Sequence, residues 1–368
     1  MDLKYMKRAL ELSKRGTGMT CPNPMVGAVI VKNGRVLGEG WHHGPGLPHA
    51  EIEALRACSE DPAGATMYVT LEPCNHFGRT PPCTEAIIKA GIATVKFAAS
   101  DPHAIAAGGA ARLREAGINV EEGFGRREAL ALNRRFFHFC RTGRPWVIMK
   151  AAMSLDGKIT SASGTSQWIT GAAARRRVHR LRSEVSAVMV GIETVLNDDP
   201  QLTNRMVKPI ERQPLKVVVD SRLRLPIDSK LVREAPGDLI VICAGDAPPS
   251  NLERLRGLGV RIVRQEQPGR VDLDAALNSL GKYEIQSVLA EGGGAIFTSL
   301  VESDLVHEYY LFYAPFFIGG TASKGVVAGP GLADLAAARR LTVDSVRKIG
   351  ADILIHAYKE DAEPCLPG

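Results

Sequence analysis

No apolar run in this chain approaches the ~20 residues that a membrane-spanning helix requires, so nothing in it calls for a membrane. The segment from Met1 to Gly16 mixes Lys, Arg and Glu with apolar residues and so lacks the apolar centre of a signal peptide. Aromatic residues are scarce, at 5%, and those near the basic segments are too few to stack bases, which argues against nucleic acid as a partner. The seven cysteines (Cys21, Cys58, Cys74, Cys83, Cys140, Cys243 and Cys365) are odd in number and scattered. That pattern argues against a disulfide framework and for a cytoplasmic location. The dinucleotide fingerprint G-x-G-x-x-G is missing, which argues against a Rossmann domain.

What is present fits a globular protein, with 45% apolar and 23% charged residues. At 368 residues the chain is too long for one ordinary core and implies two domains. The net charge of +6 is uneven, because residues 1–145 carry +5 of it. Arg126, Arg127, Arg134, Arg135, Arg141 and Arg144 supply much of that excess. They read as a solvated helix face near a domain junction, and a mild positive field also suits an anionic small substrate.

Met6, Leu10 and Ser13, with Leu3, mark one face of an amphipathic N-terminal helix. Asn33-Gly34 between the apolar runs Val26–Val31 and Arg35–Gly38 signals a hairpin. Beyond it, short helices alternate with strands up to a closing helix over Arg126–Arg141, and Thr142-Gly-Arg-Pro145 breaks the chain. This sets domains at 1–144 and 145–360. The second half alternates likewise, with strands at Trp146–Ala152, Ala187–Gly191, Lys216–Asp220, Leu239–Cys243, Val260–Val263, Ser287–Glu291, His307–Ala314 and Asp352–Tyr358. Helices are expected at Ala172–Ser183, Asn251–Leu258, Leu273–Leu280 and from Gly294 to Glu302, and the tail from Glu360 reads as frayed. Both halves are therefore α/β.

The chemistry starts at His49-Ala-Glu51, followed by Pro73-Cys74 and Pro82-Cys83. One His and two Cys can hold zinc and leave a fourth position for water, the mark of a catalytic rather than a structural site. Glu51 need not touch the metal; its task would be to take a proton from the water and pass it to a leaving amine. His49 and Cys83 each stand where a helix begins, and helix N-termini favour thiolate over thiol. Asn23, at a strand entrance, offers both a donor and an acceptor to the edge of a heterocycle.

With Asn23-Pro-Met-Val-Gly27, His49-Ala-Glu51 and Glu72-Pro-Cys-Asn-His-Phe-Gly-Arg-Thr-Pro-Pro-Cys83, the first half resembles one branch of the cytidine-deaminase superfamily, the pyrimidine deaminases of riboflavin biosynthesis. The long Cys-to-Cys loop separates that branch from deaminases that keep the pair close. The second half is similar to the partner reductases through Lys150-Ala-Ala-Met-Ser-Leu-Asp-Gly-Lys158, Gly164-Thr-Ser-Gln-Trp-Ile-Thr170, Asp198-Asp-Pro-Gln-Leu-Thr203 and Glu291-Gly-Gly-Gly294. The resemblance spans nearly the whole chain. It implies a cytidine-deaminase-like α/β/α sandwich followed by a dihydrofolate-reductase-like α/β domain.

The implied reactions are consecutive. Zinc-dependent hydrolytic deamination of 2,5-diamino-6-(5-phosphoribosylamino)pyrimidin-4-one comes first. NADPH-dependent reduction of the ribosylamino uracil to the ribitylamino product follows. By the same resemblance His49, Cys74 and Cys83 bind zinc, Glu51 shuttles the proton, and Asn23, His42, Asn75, His76 and Arg79 line the pyrimidine and phosphate pocket. In the reductase half it puts Ser166, Arg182, Leu202, Arg205 and Glu291 at the substrate. It puts Ala152, Trp168, Thr194, Asp198, Ser221 and Gly293-Gly294-Ala295-Ile296-Phe297-Thr298-Ser299 at NADPH. Lys150 and Asp199 are both open as partners for proton handling, and a homo-oligomer formed through the reductase half is implied.

Two departures from the family pattern stand out. Glu193 occupies a position that is usually small, and a carboxylate close to cofactor phosphates repels them. Asp101-Pro-His-Ala104 replaces the usual Asp-Pro-Asn-Pro. Two other readings compete. An RNA-modifying deaminase predicts a short Cys-x-x-Cys, aromatic platforms and a basic second half, and all three are missing. A deaminase whose second half only binds or regulates draws support from Glu193 alone, and cofactor binding separates it from the bifunctional reading.

Overall fold

The computed structural model describes residues 2–78, 81–103, 108–208, 212–329, 331 and 333–360. Its contacts divide the chain into two compact units, Met1–Thr142 and Gly143–Gly368.

In the first unit, helix α1 (Asp2–Ser13) leads into strands β1 (Gly27–Lys32) and β2 (Arg35–Trp41). Asn33 and Gly34 both have positive φ, 52° and 77°, as the tight hairpin turn demands. Then follow α2 (Ala50–Arg56), β3 (Thr66–Val69), α3 (Cys83–Lys89), β4 (Thr94–Phe97), α4 (Gly109–Glu115), β5 (Asn119–Glu122), α5 (Arg126–Leu132) and α6 (Arg134–Thr142). The strands order as β2-β1-β3-β4-β5, with β1 antiparallel to both of its neighbours and β3, β4 and β5 parallel.

Period-two alternation sorts the core. Ala28 and Ile30 pack with Ala50, Ala54, Ile87 and Leu113, from α2, α3 and α4. Val29 and Val31 pack with Met6, Leu10, Ala129 and Leu130, from α1 and α5. The result is the α/β/α sandwich of the cytidine-deaminase class. Glycine brings α2 onto the sheet: a Cβ at Gly40 would lie 2.5 Å from the Ala50 carbonyl oxygen.

Two expectations need correction here. Leu3 is 59% exposed, and the buried side of α1 is formed by Tyr5, Met6, Ala9, Leu10, Leu12 and Ser13. The closing helix is not continuous but breaks at Asn133, whose side chain accepts from the Met25 backbone N–H at 2.8 Å and donates to the Met25 carbonyl at 2.9 Å. A tertiary contact thus overrides the helical pattern at the entrance of β1.

The second unit runs β6 (Trp146–Ser154), α7 (Ala172–Ser183), β7 (Ala187–Gly191), α8 (Ile192–Asp198), β8 (Leu215–Val219), α9 (Lys230–Glu234), β9 (Leu239–Cys243), α10 (Pro249–Gly257) and β10 (Arg261–Arg264). It ends with α11 (Leu273–Gly281), β11 (Ser287–Gly292), α12 (Gly294–Glu302), β12 (Glu308–Ala314), β13 (Leu341–Ile349) and β14 (Asp352–Lys359). Nine strands order as β10-β9-β8-β7-β11-β6-β12-β14-β13, parallel up to β12 and antiparallel after it. Parallel strands covered on both faces read as unbroken apolar runs, as in Ala187–Gly191 and Leu239–Cys243. Helices α7, α8, α9 and α10 cover one face, and α11 and α12 the other. Helices α8 and α9 and strand β13 were not expected from the sequence.

Candidate functional site

His49 caps α2 with extended backbone, at φ −74° and ψ 165°, and Cys83 is the first residue of α3. Cys74 lies between β3 and α3. It is held there from two sides: the Cys83 N–H donates to Cys74 Sγ at 3.4 Å, and the Thr84 N–H donates to the Cys74 carbonyl at 3.3 Å. His49 Nδ1 stands 3.4 Å from Cys74 Sγ and 3.3 Å from Cys83 Sγ, and the three ligand atoms all lie within 4.8 Å of one another. Both sulfurs are buried. Hydrogen bonding from the Cys83 thiol holds Cys74 far below the ordinary thiol range, at about 4, so the pair keeps a thiolate inside the protein. One imidazole nitrogen and two sulfurs converging out of water form a donor set that fits zinc.

Glu51 is the second residue of α2, almost fully buried beside this set, and burial pushes its carboxyl up to about 7. His42 is buried and donates from Nδ1 to the Pro48 carbonyl at 3.1 Å. Its Nε2 is therefore the acceptor for Asn23 Nδ2 at 3.0 Å. Burial lowers the pKa of His42, which favours the neutral ring that this pairing requires. This relay fixes the Asn23 amide with its oxygen turned away from His42. Asn75 accepts from Thr84 Oγ1 at 3.0 Å, and His76 keeps a buried Nδ1 without a hydrogen-bond partner among the described residues. Arg79, also expected at this site, lies outside the described residues.

Glu72, quoted above only as part of a motif, has a clear task. Its carboxylate accepts from the backbone N–H groups of Ala110 at 2.9 Å and Asp101 at 3.3 Å, tying the Pro73-Cys74 segment to α4. Gly109 allows that approach, since a Cβ there would stand 1.8 Å from the Pro73 oxygen.

In the second unit the register pairs Ala290 of β11 with Met149 of β6, so one residue on, Glu291 and Lys150 are neighbours on the face that α7 covers. From α7, Arg182 donates Nε to Glu291 Oε1 at 2.6 Å and Nη2 to Oε2 at 2.8 Å, while its Nη1 reaches the Thr203 carbonyl at 3.0 Å. Burial would raise the Glu291 carboxyl, but Arg182 and Lys150 outweigh it and leave Glu291 below its usual value. Burial lowers Lys150, so this amine gives up its proton more readily than an exposed lysine. Asp199 stands apart, accepting from the Lys230 N–H at 2.9 Å and pairing with the Lys230 ammonium.

His179 was not singled out from the sequence. It lies one turn before Arg182 on α7 and accepts from the Arg205 N–H at 3.1 Å. Burial and the two arginines push it down to about 4. The i, i+3 spacing of His179 and Arg182 was the available signal.

Ser166 donates to Asp198 at 3.1 Å, which joins a residue expected at the substrate to one expected at NADPH. The side chains of Leu202, Ile296 and Phe297 are buried in the core, so any ligand contact from them runs through backbone. Ala152 is partly buried against the same core, and Trp168 is 70% exposed with Arg175 over its ring. Ser221 Oγ accepts from the Val271 N–H.

The turn from β11 to α12 is open backbone. Gly293 has φ 88°, and a Cβ on Gly292 would lie 3.2 Å from Thr194 Oγ1. Such a glycine cradle at the start of a helix fits the pyrophosphate of a dinucleotide. Thr298, one turn into α12, donates to the Gly294 carbonyl and accepts from the Ala328 N–H. Glu193, in the first turn of α8, pairs with Arg224 Nη2 at 2.5 Å, so its charge is already met.

The family described as the cytidine and deoxycytidylate deaminase zinc-binding region matches residues 1–99, and that of the RibD C-terminal domain matches residues 145–355. Riboflavin biosynthesis protein RibD of Actinobacillus pleuropneumoniae is 46% identical over 96% of this chain and 94% of its own. That of Escherichia coli is 41% identical over 96% and 98%. Among solved structures, RibD of Acinetobacter baumannii superposes with a TM-score of 0.90 at 39% identity, covering 98% of this chain and 99% of the other. The Thermotoga maritima diaminohydroxyphosphoribosylaminopyrimidine deaminase/5-amino-6-(5-phosphoribosylamino)uracil reductase gives 0.85 at 35% identity, covering 97% and 98%.

Proposed function

The chain belongs to the RibD family of bifunctional riboflavin biosynthesis proteins, and from that premise we propose how its own residues divide the two reactions. The first unit is a zinc-dependent deaminase and the second an NADPH-dependent reductase. The deaminase acts on 2,5-diamino-6-(5-phosphoribosylamino)pyrimidin-4-one, and its uracil product is the substrate of the reductase. The observation that carries the reading is the convergence of half-buried His49 with the buried Cys74 and Cys83 beside the buried carboxyl of Glu51.

His49, Cys74 and Cys83 hold zinc, which when bound supplies the Lewis acidity that makes water nucleophilic near neutral pH. Glu51 takes a proton from the attacking water and returns it to the departing 2-amino group, which leaves as ammonia. Asn23, oriented through His42, presents its amide to the pyrimidine edge. Asn75, His76 and Arg79 complete that pocket.

Gly293 and the first turns of α12 as far as Ser299 would hold NADPH, which when bound would supply a hydride for C1′ of the opened ribose. Ring opening also needs one proton at the ring oxygen, while the amine nitrogen keeps its own hydrogen. Lys150 is the donor we favour over Asp199, because Lys150 lies in the Glu291–Arg182 cluster whereas Asp199 is bound to Lys230. Arg205 and the free N–H groups of Arg182 suit the substrate phosphate, since guanidinium matches phosphate geometry. Trp168, Thr194, Asp198 and Ser221 line the cofactor.

A homo-oligomer assembled through the reductase unit suits β13, an edge strand exposing Val343 and Val346. Light scattering of the intact protein tests it. No helix among the described residues is long and apolar enough to cross a membrane, and the six described cysteines are all free thiols, as a cytoplasmic location would have them.

The test is mass spectrometry of products from zinc-loaded protein and the diaminopyrimidine ribotide, with and without NADPH. Deaminated product alone, converted to the ribityl compound only when NADPH is added, is the expected result. Deamination that stops at the uracil despite NADPH would refute the reductase assignment.

A further inference from the structure

We propose that the Glu193–Arg224 ion pair is the cofactor selector of the reductase unit: Arg224 takes the 2′-phosphate of NADPH, and Glu193 is the counterion that this phosphate displaces. The proposal rests on the reductase reading above and adds the residues that tell NADPH from NADH.

Strand order places the pair. The sheet runs β8-β7-β11-β6, and each step across it is ~4.8 Å. Lys150 and Glu291, the groups beside the reacting carbon, belong to β6 and β11. The glycine cradle follows β11 and touches Thr194, which follows β7. Arg224 belongs to the loop after β8, the next strand in the same direction. A dinucleotide with its nicotinamide over β6 and its pyrophosphate between β11 and β7 carries its adenosine toward β8. Three strand spacings, ~14 Å, match the reach of an extended dinucleotide from one end to the other.

The charges at that end have the right sign and the right exposure. In dinucleotide-binding sheets, an acidic side chain after a neighbouring strand takes the ribose hydroxyls and repels a 2′-phosphate, whereas an arginine accepts it. The acid here, Asp220 at the end of β8, is fully buried, with Oδ2 taken by the Leu225 N–H at 2.8 Å. Arg224 is the group at the surface, with 47% of its side chain exposed and its Nη2 on Glu193 Oε1. Glu193 is itself 63% exposed, so it can swing aside at small cost. A 2′-phosphate brings about two negative charges and several acceptor oxygens, and so outcompetes one exposed carboxylate for a guanidinium. The carboxylate that looked hostile to the cofactor in the sequence thus becomes a reversible plug on the residue that reads it.

The test is equilibrium titration of the full-length protein with NADPH and with NADH, followed by isothermal calorimetry, for the wild type, R224Q and E193Q. Both positions are exposed, and thermal unfolding confirms that each variant is folded. R224Q should weaken NADPH about tenfold or more and leave NADH nearly unchanged, as expected for loss of a charge-assisted contact. E193Q should tighten NADPH about threefold, the scale of an exposed ion pair. A preference for NADPH over NADH that fails to fall in R224Q, or fails to rise in E193Q, overturns the proposal. Wild-type protein that binds neither dinucleotide would overturn the reductase reading itself.

Discussion

Replacing Glu291 by glutamine leaves the shape of the β11 terminus intact and removes one charge from an otherwise balanced buried cluster. Arg182 then keeps its contact to the Thr203 carbonyl but loses an anion met by two hydrogen bonds of 2.6 and 2.8 Å. Lys150 loses the one group that raises its pKa and falls further. Breaking a buried pair by removing one partner costs about 3–5 kcal/mol, and an amide recovers part of it, so about 3 kcal/mol is expected for E291Q. In a unit of roughly 200 residues that corresponds to a fall of about 6–12 °C in Tm.

Calorimetry of the intact protein reads the shift. The pH dependence gives a second, independent readout. The folded Glu291 carboxyl lies below its ordinary value, so its stabilisation is present above about pH 4.3 and disappears as pH falls through the depressed folded value. The wild type should therefore show an acid-side loss that E291Q lacks. R182M combined with E291L should recover much of the stability, because an apolar pair replaces an ion pair better than half a pair does. A Tm for E291Q within 2 °C of the wild type, with an unchanged acid limb, would refute the reasoning.

Other substitutions separate the two chemistries. E51Q should cut ammonia release about 10²–10⁴-fold while reduction of the supplied uracil intermediate continues, as product analysis would report. K150M should abolish ribityl product without lowering stability, since it removes a buried cation and keeps its volume. G109A should destabilise the first unit by about 1–3 kcal/mol and loosen zinc, because the new methyl meets the Pro73 carbonyl beside Cys74. Zinc content per chain by elemental analysis, alongside Tm, checks it.

The zinc centre was legible in the sequence because its parts are local. His49 and Glu51 share the start of α2, Cys83 opens α3, and prolines flag both thiols. The same holds for the buried parallel strands, whose apolar runs need no partner to be recognised. Helix α9 escaped because its five residues are too few to display a period. Strand β13 escaped because both of its faces are largely exposed and the short alternation of Leu341-Thr-Val-Asp344 breaks at Ser345, where the register shifts. The break between α5 and α6 has no local cause at all, since Asn133 leaves the helix for Met25, 108 residues away.

The ionic cluster of the second unit shows the same limit from the functional side. Lys150, His179, Arg182 and Glu291 come from two strands and a helix, and beyond the i, i+3 step from His179 to Arg182 no spacing joins them before the register of β6 against β11 is known. Register is also what turns Glu193 from an anomaly into a partner. Read alone, a carboxylate in the first turn of α8 opposes any phosphate nearby. With β8 beside β7, Arg224 is within reach and the local charge is neutral. The double variant E193Q/R224Q should accordingly bind NADPH less tightly than E193Q but more tightly than R224Q, because in R224Q the carboxylate has lost its arginine and opposes the phosphate.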